Sequence, residues 1–437
     1  MASAYLSRSI SSSGSTTKGT LSVWVKKCSL GSIYPRIWTS YVSGTEWIEV
    51  YFDNSDRLST YCQVSGSTKF HFVTTSKFRD TSGWYHIVVA YDSTQGTASN
   101  RVKMYVNGVQ ETAFDTSTNN TSQGDDLKFN KSSNTEVIGR YQSGGNNYFD
   151  GEMAHFHWID GTAYAPSDFG STDTTTGIWK PKTSPSVTYG TNGYFLKFDN
   201  AANMGLDSSG QTNNLTTSGT IIQNKDTPTN VFATMNPLAR FYRNPTFSLV
   251  NSKIVGDNNW NGAAATLGFS TGKWYWEVKL SGTMAGHFVG VCNYDGNFTP
   301  INPQQQSGAT LFYNHDGGEM RVDGTDTTAD YGTFSSGDIA GVAVDMTAGS
   351  YGQITIYKNG VALVSNFNLS SNTSGTVVPL LVNDSATQEI NFGNGYFGTT
   401  AVTSAQNPDD GNGIFEYDVP AGYRALCTKS INAVEYS

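Results

Sequence analysis

The chain has 437 residues, more than one hydrophobic core usually serves, so the length predicts two domains. Only 14% of residues are charged, the net charge is −9, and the 27 Lys and Arg form no run or stripe able to neutralise phosphates, which excludes nucleic acid and anionic membrane as partners. Gly (46), Tyr (24) and Phe (23) are heavily used, a turn and strand composition, and no 18-residue apolar run could span a bilayer.

Along the chain, residues 1–10 (MASAYLSRSI) carry no apolar leader, and the product is expected to be soluble and made in a cytosol. Period-two alternation then puts Leu21, Val23 and Val25 on one strand face, Tyr85, Ile87 and Val89 on a second, and Val102, Met104 and Val106 on a third. Asn-Gly occurs six times and Asp-Gly six times, the dipeptides that favour hairpin turns with positive φ. Short helices are expected over 166–169 and 230–238. Cys28, Cys62, Cys292 and Cys427 are too scattered for a disulfide framework or a zinc site and read as reduced core thiols, a Cys28–Cys62 bridge being the alternative.

The stretch VKMYVNGV at 102–109 is matched by ITIYKNGV at 354–361, and each follows an apolar strand ending in Asp, at Asp92 and Asp345. A copy in each half implies two related sandwiches. The expected architecture is therefore all-β, two tandem antiparallel β-sandwiches of jelly-roll type: 1–175, a structured connector over 176–240 that contributes a strand at 193–198 (GYFLKF), and 241–437.

Several patterns could carry chemistry. Gly268-Phe269-Ser270-Thr271-Gly272 matches a nucleophile-elbow motif, but an aromatic strand follows it where a helix is required. Paired carboxylates for glycoside hydrolysis are not set out along one strand: Glu416-Tyr417-Asp418 lacks its third member, and Glu46 and Glu49 fall on opposite faces. No enzyme activity is expected. His155 and His157, two apart on a strand, have the spacing of a metal pair without a third ligand, and read better as half-buried rings beside Phe156 and Trp158. Sugar binding needs exposed rings to stack on a pyranose, and Trp38, Tyr41, Trp47, Tyr141 and Tyr148, in or near loops of the first half, are the candidates.

The segments Tyr5-Leu6-Ser7-Arg8, Leu21-Ser22-Val23-Trp24-Val25-Lys26, Gly83-Trp84-Tyr85-His86 and Tyr105-Val106-Asn107-Gly108, closed by GEMAHFHWID at 151–160 and Tyr164-Ala165-Pro166-Ser167-Asp168-Phe169, resemble laminin-G-like, concanavalin A-like jelly rolls. Gly272-Lys273-Trp274-Tyr275-Trp276-Glu277-Val278 and the run from Gly337-Asp338-Ile339 to Asn359-Gly360 resemble a SPRY domain. The laminin-G resemblance implies calcium as a cofactor, for which Asp53, Asn54 and Asp56, and Asp199, Asn200 and Asp207, offer hard oxygen donors on turns. The SPRY resemblance implies a binding surface around loops 258–261 and 302–306.

Tyr189-Gly190-Thr191-Asn192-Gly193-Tyr194, Asp207-Ser208-Ser209-Gly210, Asp226-Thr227-Pro228-Thr229-Asn230 and the run VPAGYRALCT at 419–428 resemble proteins encoded by tailed bacteriophages, marine ones especially. What this implies is a virion protein: an adhesive fibre, tip or appendage that contacts host-surface polysaccharide, or a capsid or tail decoration gripping other virion proteins. A polysaccharide-degrading enzyme and a cellular origin are the remaining readings. Self-association within the virion would use a domain surface or a terminus, with 1–8 as a candidate anchor, because no heptad stalk is present.

Overall fold

In the computed structural model, residues 4–31, 34–142, 147–241, 245–294, 308–315 and 317–436 are described. The chain divides into two units, Met1–Gln223 and Asn224–Ser437, each a pair of antiparallel sheets. In the first, one sheet runs in spatial order Phe114–Asn119, Ser67–Lys77, Arg57–Val64, Glu46–Phe52, Arg36–Ser43, Thr135–Ile138, Tyr5–Ser9, Thr216–Ser218. The other runs Tyr194–Leu196, Gly151–Asp160, Lys18–Lys27, Tyr85–Asp92, Val102–Val106, Val109–Gln110. Leu21, Val23, Val25, Ile48, Val50, Phe52, Ile87 and Val89 meet between them, as the alternation predicts.

The second unit repeats the plan. One sheet is ordered Met235–Phe241, Asn261–Ala265, Val377–Asn383, Phe288–Asn293, Thr310–Tyr313, Glu319–Val322, Thr325–Asp326. Facing it lie Thr246–Ser248, Lys253–Val255, Ala386–Asn391, Lys273–Gly282, Ile339–Asp345, Gln353–Lys358 and Val361–Asn368. Trp274, Trp276, Val278, Val342, Val344, Ile354 and Ile356 fill the space between.

The segment 176–240 is shared out. Tyr194–Leu196 pairs with Gly151–Asp160 of the first unit, and Met235–Phe241 pairs with Asn261–Ala265 of the second. The helix expected over 230–238 is not formed. Asn236 precedes Pro237 and is biased to extended backbone, and Pro237 is tolerated because its strand is an edge with a bulge between Met235 and Arg240. The helix Pro166–Phe169 is present, and a second one, Thr428–Glu435, packs Ile431 and Val434 on the second core. All four cysteines are buried thiols outside any disulfide.

The matched hairpins are equivalent in detail. Asn107 and Asn359 both have φ of 49°, followed by Gly108 and Gly360 at 84° and 81°. Each Asn side chain accepts a backbone N–H near the start of the strand paired with its own, from His86 at 2.8 Å and from Ile339 at 2.9 Å. An aromatic ring from later in each unit closes over the glycine: a Cβ on Gly108 would lie 3.0 Å from Trp179, and one on Gly360 2.7 Å from Tyr417.

Glu136, on Thr135–Ile138, is fully buried inside the first sandwich with Arg8 3.6 Å away. Burial pushes its carboxyl up to about 8, against the pull of the Arg8 charge. The unfolded chain ionises near about 4.3 and the folded one near about 8, so stability is fully present below the first value and falls as pH rises towards the second. Glu136→Gln should flatten that slope, removing a loss on the order of 3 kcal/mol between about pH 5 and pH 8.5 in urea unfolding. An unchanged slope in the variant would assign the pH dependence elsewhere.

Candidate functional site: an aromatic face on the first sandwich

With Ile48, Val50 and Phe52 turned into the core, Trp47, Glu49 and Tyr51 project from the opposite face of the same strand. Pairing register extends this set sideways: Trp47 lies beside Tyr41 and Gln63, Glu49 beside Thr39 and Tyr61, and Tyr61 beside His71. Tyr41, Trp47, Tyr61, Gln63 and His71 are half-buried and Tyr51 is almost covered. Trp47 and Tyr61 ring centroids are 5.6 Å apart, and Tyr61 meets His71 edge-on at 5.3 Å. Tyr61 donates its hydroxyl proton to Gln63 Oε1 at 2.7 Å, and the Tyr51 hydroxyl lies 3.3 Å from His71 Nε2. Partial burial holds the His71 imidazole below its ordinary value, with Asp53 opposing, so the ring is neutral at pH 7.

Beside the rings, Arg36 donates to both oxygens of Glu49, Nε to Oε2 at 3.0 Å and Nη2 to Oε1 at 3.4 Å. Its guanidinium also lies 4.3 Å from the Tyr51 centroid, 5.1 Å from that of Tyr141 and 5.6 Å from that of Tyr34. Burial pushes the Glu49 carboxyl up and the Arg36 charge draws it down.

Of the five rings expected to stack on sugar, Tyr41 and Trp47 lie on this face and Tyr141 borders it over Arg36. Tyr148 is half-buried in the segment before Gly151–Asp160. Trp38 is corrected: it is fully buried and stacked on Trp158 at 4.3 Å, with no face left for a ligand. A bulge at Arg36/Trp38 sends the consecutive residues Ile37 and Trp38 both inward. Arg36, Glu49, Tyr51, Tyr61, Gln63 and His71 were missed, although counting by twos from Trp47 finds Glu49 and Tyr51.

The calcium candidates are differently employed. Asp53 accepts the backbone N–H of Ser55 and Arg57 and the Arg57 guanidinium. Asp56, at φ of 64°, accepts from Lys27 Nζ at 2.8 Å, Arg79 Nε at 3.0 Å and the Gly31 N–H. Asn54 is exposed between them. Asp207 accepts the N–H groups of Phe195, Ser209 and Asn213, Asn200 accepts the N–H of Ala202, and Asp199 is exposed. The Asp53, Asp56 and Asp207 carboxylates serve cationic side chains and turn amides, and no group of three metal-ligating acids, His or Cys comes together among the described residues.

His157 is buried, stacked on Phe195 at 4.0 Å and hydrogen-bonded through Nδ1 to the Tyr189 hydroxyl at 2.9 Å, while His155 sits half-buried in a bulge at φ of 47°. Ser22 Oγ is 2.9 Å from His86 Nε2, a buried serine–histidine pair. Trp179 donates to His86 Nδ1, so Nε2 carries the proton and donates to Ser22, the reverse of general-base geometry. Burial holds this imidazole down at about 3. Ser270 caps no helix; its backbone N–H and hydroxyl are taken by Glu435. In the second unit Trp260 of loop 258–261 is half-buried and meets Phe288 edge-on at 5.4 Å, whereas loop 302–306 lies outside the described residues.

The pair at the edge of the aromatic face is testable by unequal replacement. Arg36→Met strands Glu49 against its neighbours and should cost about 3 kcal/mol in urea unfolding, whereas Arg36→Met with Glu49→Leu should recover most of it. Equal losses in the single and double variants would show the two side chains to be uncoupled.

A model of the concanavalin A-like lectin/glucanases superfamily matches residues 2–168, and one of the SPRY domain matches 273–395. No curated protein matches. Similar solved structures include the SPRY domain of human HERC1, at 18% identity over 36% of this chain and 96% of that one, TM-score 0.29. Another is a native heptameric SAP-like pentraxin from Limulus polyphemus, at 19% identity over 37% of this chain and 71% of that one, TM-score 0.28. The chain thus carries a concanavalin A-like domain followed by a SPRY domain, a pair that fits a carbohydrate- or protein-binding role.

Proposed function

We propose that the chain is a bacteriophage virion protein, a surface-exposed fibre, tip or appendage whose first sandwich holds host-surface polysaccharide and performs no catalysis on it. It is made in the host cytoplasm and mounted among other virion proteins, in several copies. The observation that carries the adhesive part is the pair of neighbouring rows that hold Tyr41 and Trp47, and Tyr61 and His71, four rings on adjacent strands with hydroxyl and amide hydrogen-bonders between them. The phage assignment rests on the resemblance of 189–194, 207–210, 226–230 and 419–428.

A second reading, a decoration protein held by protein contacts, draws on the strand Val361–Asn368. This eight-residue sheet edge contains no charged residue to discourage strand addition from a partner.

Purified full-length chain should be retained by host cells and by their extracted polysaccharide, and Trp47→Ala with Tyr61→Ala should weaken retention by at least about 10-fold at unchanged melting temperature. Electron cryomicroscopy of virions should place the first sandwich outward. If neither chain nor intact virion holds the polysaccharide, the adhesive reading fails; an inward-facing first sandwich favours decoration.

A further inference from the structure

The charges nearest the aromatic rings are paired within the chain, while Lys77, beside Arg57 at the far end of the sheet, is exposed. Arg36 and Glu49 engage each other through two hydrogen bonds. At the margins Arg57 is held between Asp53 and Asp115, and Lys69 reaches Asp125 at 3.0 Å. What remains towards solvent among the rings is phenol, indole, amide and an uncharged imidazole. The acids nearest the end of this sheet, Asp53 and Asp56, already accept from Arg57, Lys27 and Arg79, and so hold no carboxylate in reserve for a bridging cation.

Polyanion recognition needs cations with spare hydrogen-bonding capacity, and its affinity falls with salt. Stacking on the apolar face of a sugar needs neither a charge nor a metal. Four adjacent strands span about 14 Å, the length of a short oligosaccharide laid across them. The whole chain is also net negative at −9, which opposes an acidic polymer.

Resting on the adhesive reading above, we infer that the aromatic face of the first sandwich takes an uncharged polysaccharide and holds it without a bridging metal ion. Trp47 and Tyr61 supply the stacking surface, and Gln63 is the amide that reads hydroxyl groups.

The test uses the full chain and two sets of polymers, dextran, galactomannan and xylan as the neutral set and alginate and polygalacturonate as the anionic one. Calorimetric titration is run at about 20 mM and about 500 mM salt, with and without EDTA. A neutral polymer should bind at least about 10-fold more tightly than either anionic one, with less than about a 2-fold change on adding salt or chelator. Trp47→Ala should remove that binding. Gln63→Lys, which leaves every stacking ring in place, should confer alginate binding that salt abolishes.

Tighter binding of an anionic polymer, or loss of binding in EDTA, overturns the inference and leaves the adhesive reading standing. Binding of every polymer unaffected by Trp47→Ala and by Gln63→Lys overturns the assignment of this face. No polymer bound, in a chain that also fails on host polysaccharide, overturns both.

Discussion

Strand register is the constraint from which the first sandwich's binding face follows, because each residue committed to the core commits its neighbours to the other side. Ile48, Val50 and Phe52 cannot enter the interior without sending Trp47, Glu49 and Tyr51 out. Pairing then aligns strand with strand, so that Tyr41, Trp47 and Gln63 form one row across the sheet and Thr39, Glu49, Tyr61 and His71 another. The same hydrophobic burial that holds the two sheets together positions the rings, and a slip of one residue would turn them into the core and the aliphatic residues to solvent.

Buried charge is managed in two ways, by pairing with an opposite charge and by backbone and hydroxyl donors that stand in for a cation. Lys27 is buried yet touches Asp56 and lies 4.4 Å from the centroid of Phe52, and Arg36 is enclosed by tyrosines while bound to Glu49. In the second unit Glu277 has no cation; it accepts the N–H groups of Glu416 and Tyr417 and the hydroxyl of Tyr275, and burial lifts its carboxyl to about 7. Acids that look like ligands in a list of residues are, in three dimensions, the counterparts of particular donors. Asp53 and Asp56 are in this position, and their sequence neighbourhood names only some of those donors.

Much of the fold was legible, because period two and Asn-Gly turns are local. The alternation over 21–25, 85–89 and 102–106 and the matched hairpins at 102–109 and 354–361 appear as expected. Bulges were not legible. The extra residue at Arg36/Trp38 puts the consecutive Ile37 and Trp38 both inside, a break in parity that a count by twos does not foresee. The bulge at His155 disturbs the next histidine pair in the same way. The ion pairs that rule the acid clusters join residues as far apart as Lys27 and Asp56, beyond the reach of spacing. The run Met235–Phe241 is extended where the helix expected over 230–238 would have continued, because Pro237 holds Asn236 to extended backbone.

The aromatic rings that close over Gly108 and Gly360 have a bearing on modularity. Trp179 and Tyr417 both lie downstream of the segments that the two domain families match, which end at 168 and 395. Each recognisable domain therefore depends, at its most repeated turn, on a side chain that its family resemblance does not include. Trp179 also orients His86, and the backbone N–H of Tyr417 donates a hydrogen bond to Glu277, so each clasp reaches into the sheet as well as over the turn. The structural unit in this chain is the domain together with its clasp, and an exchange that moved only the segments 2–168 or 273–395 would leave the closing ring behind.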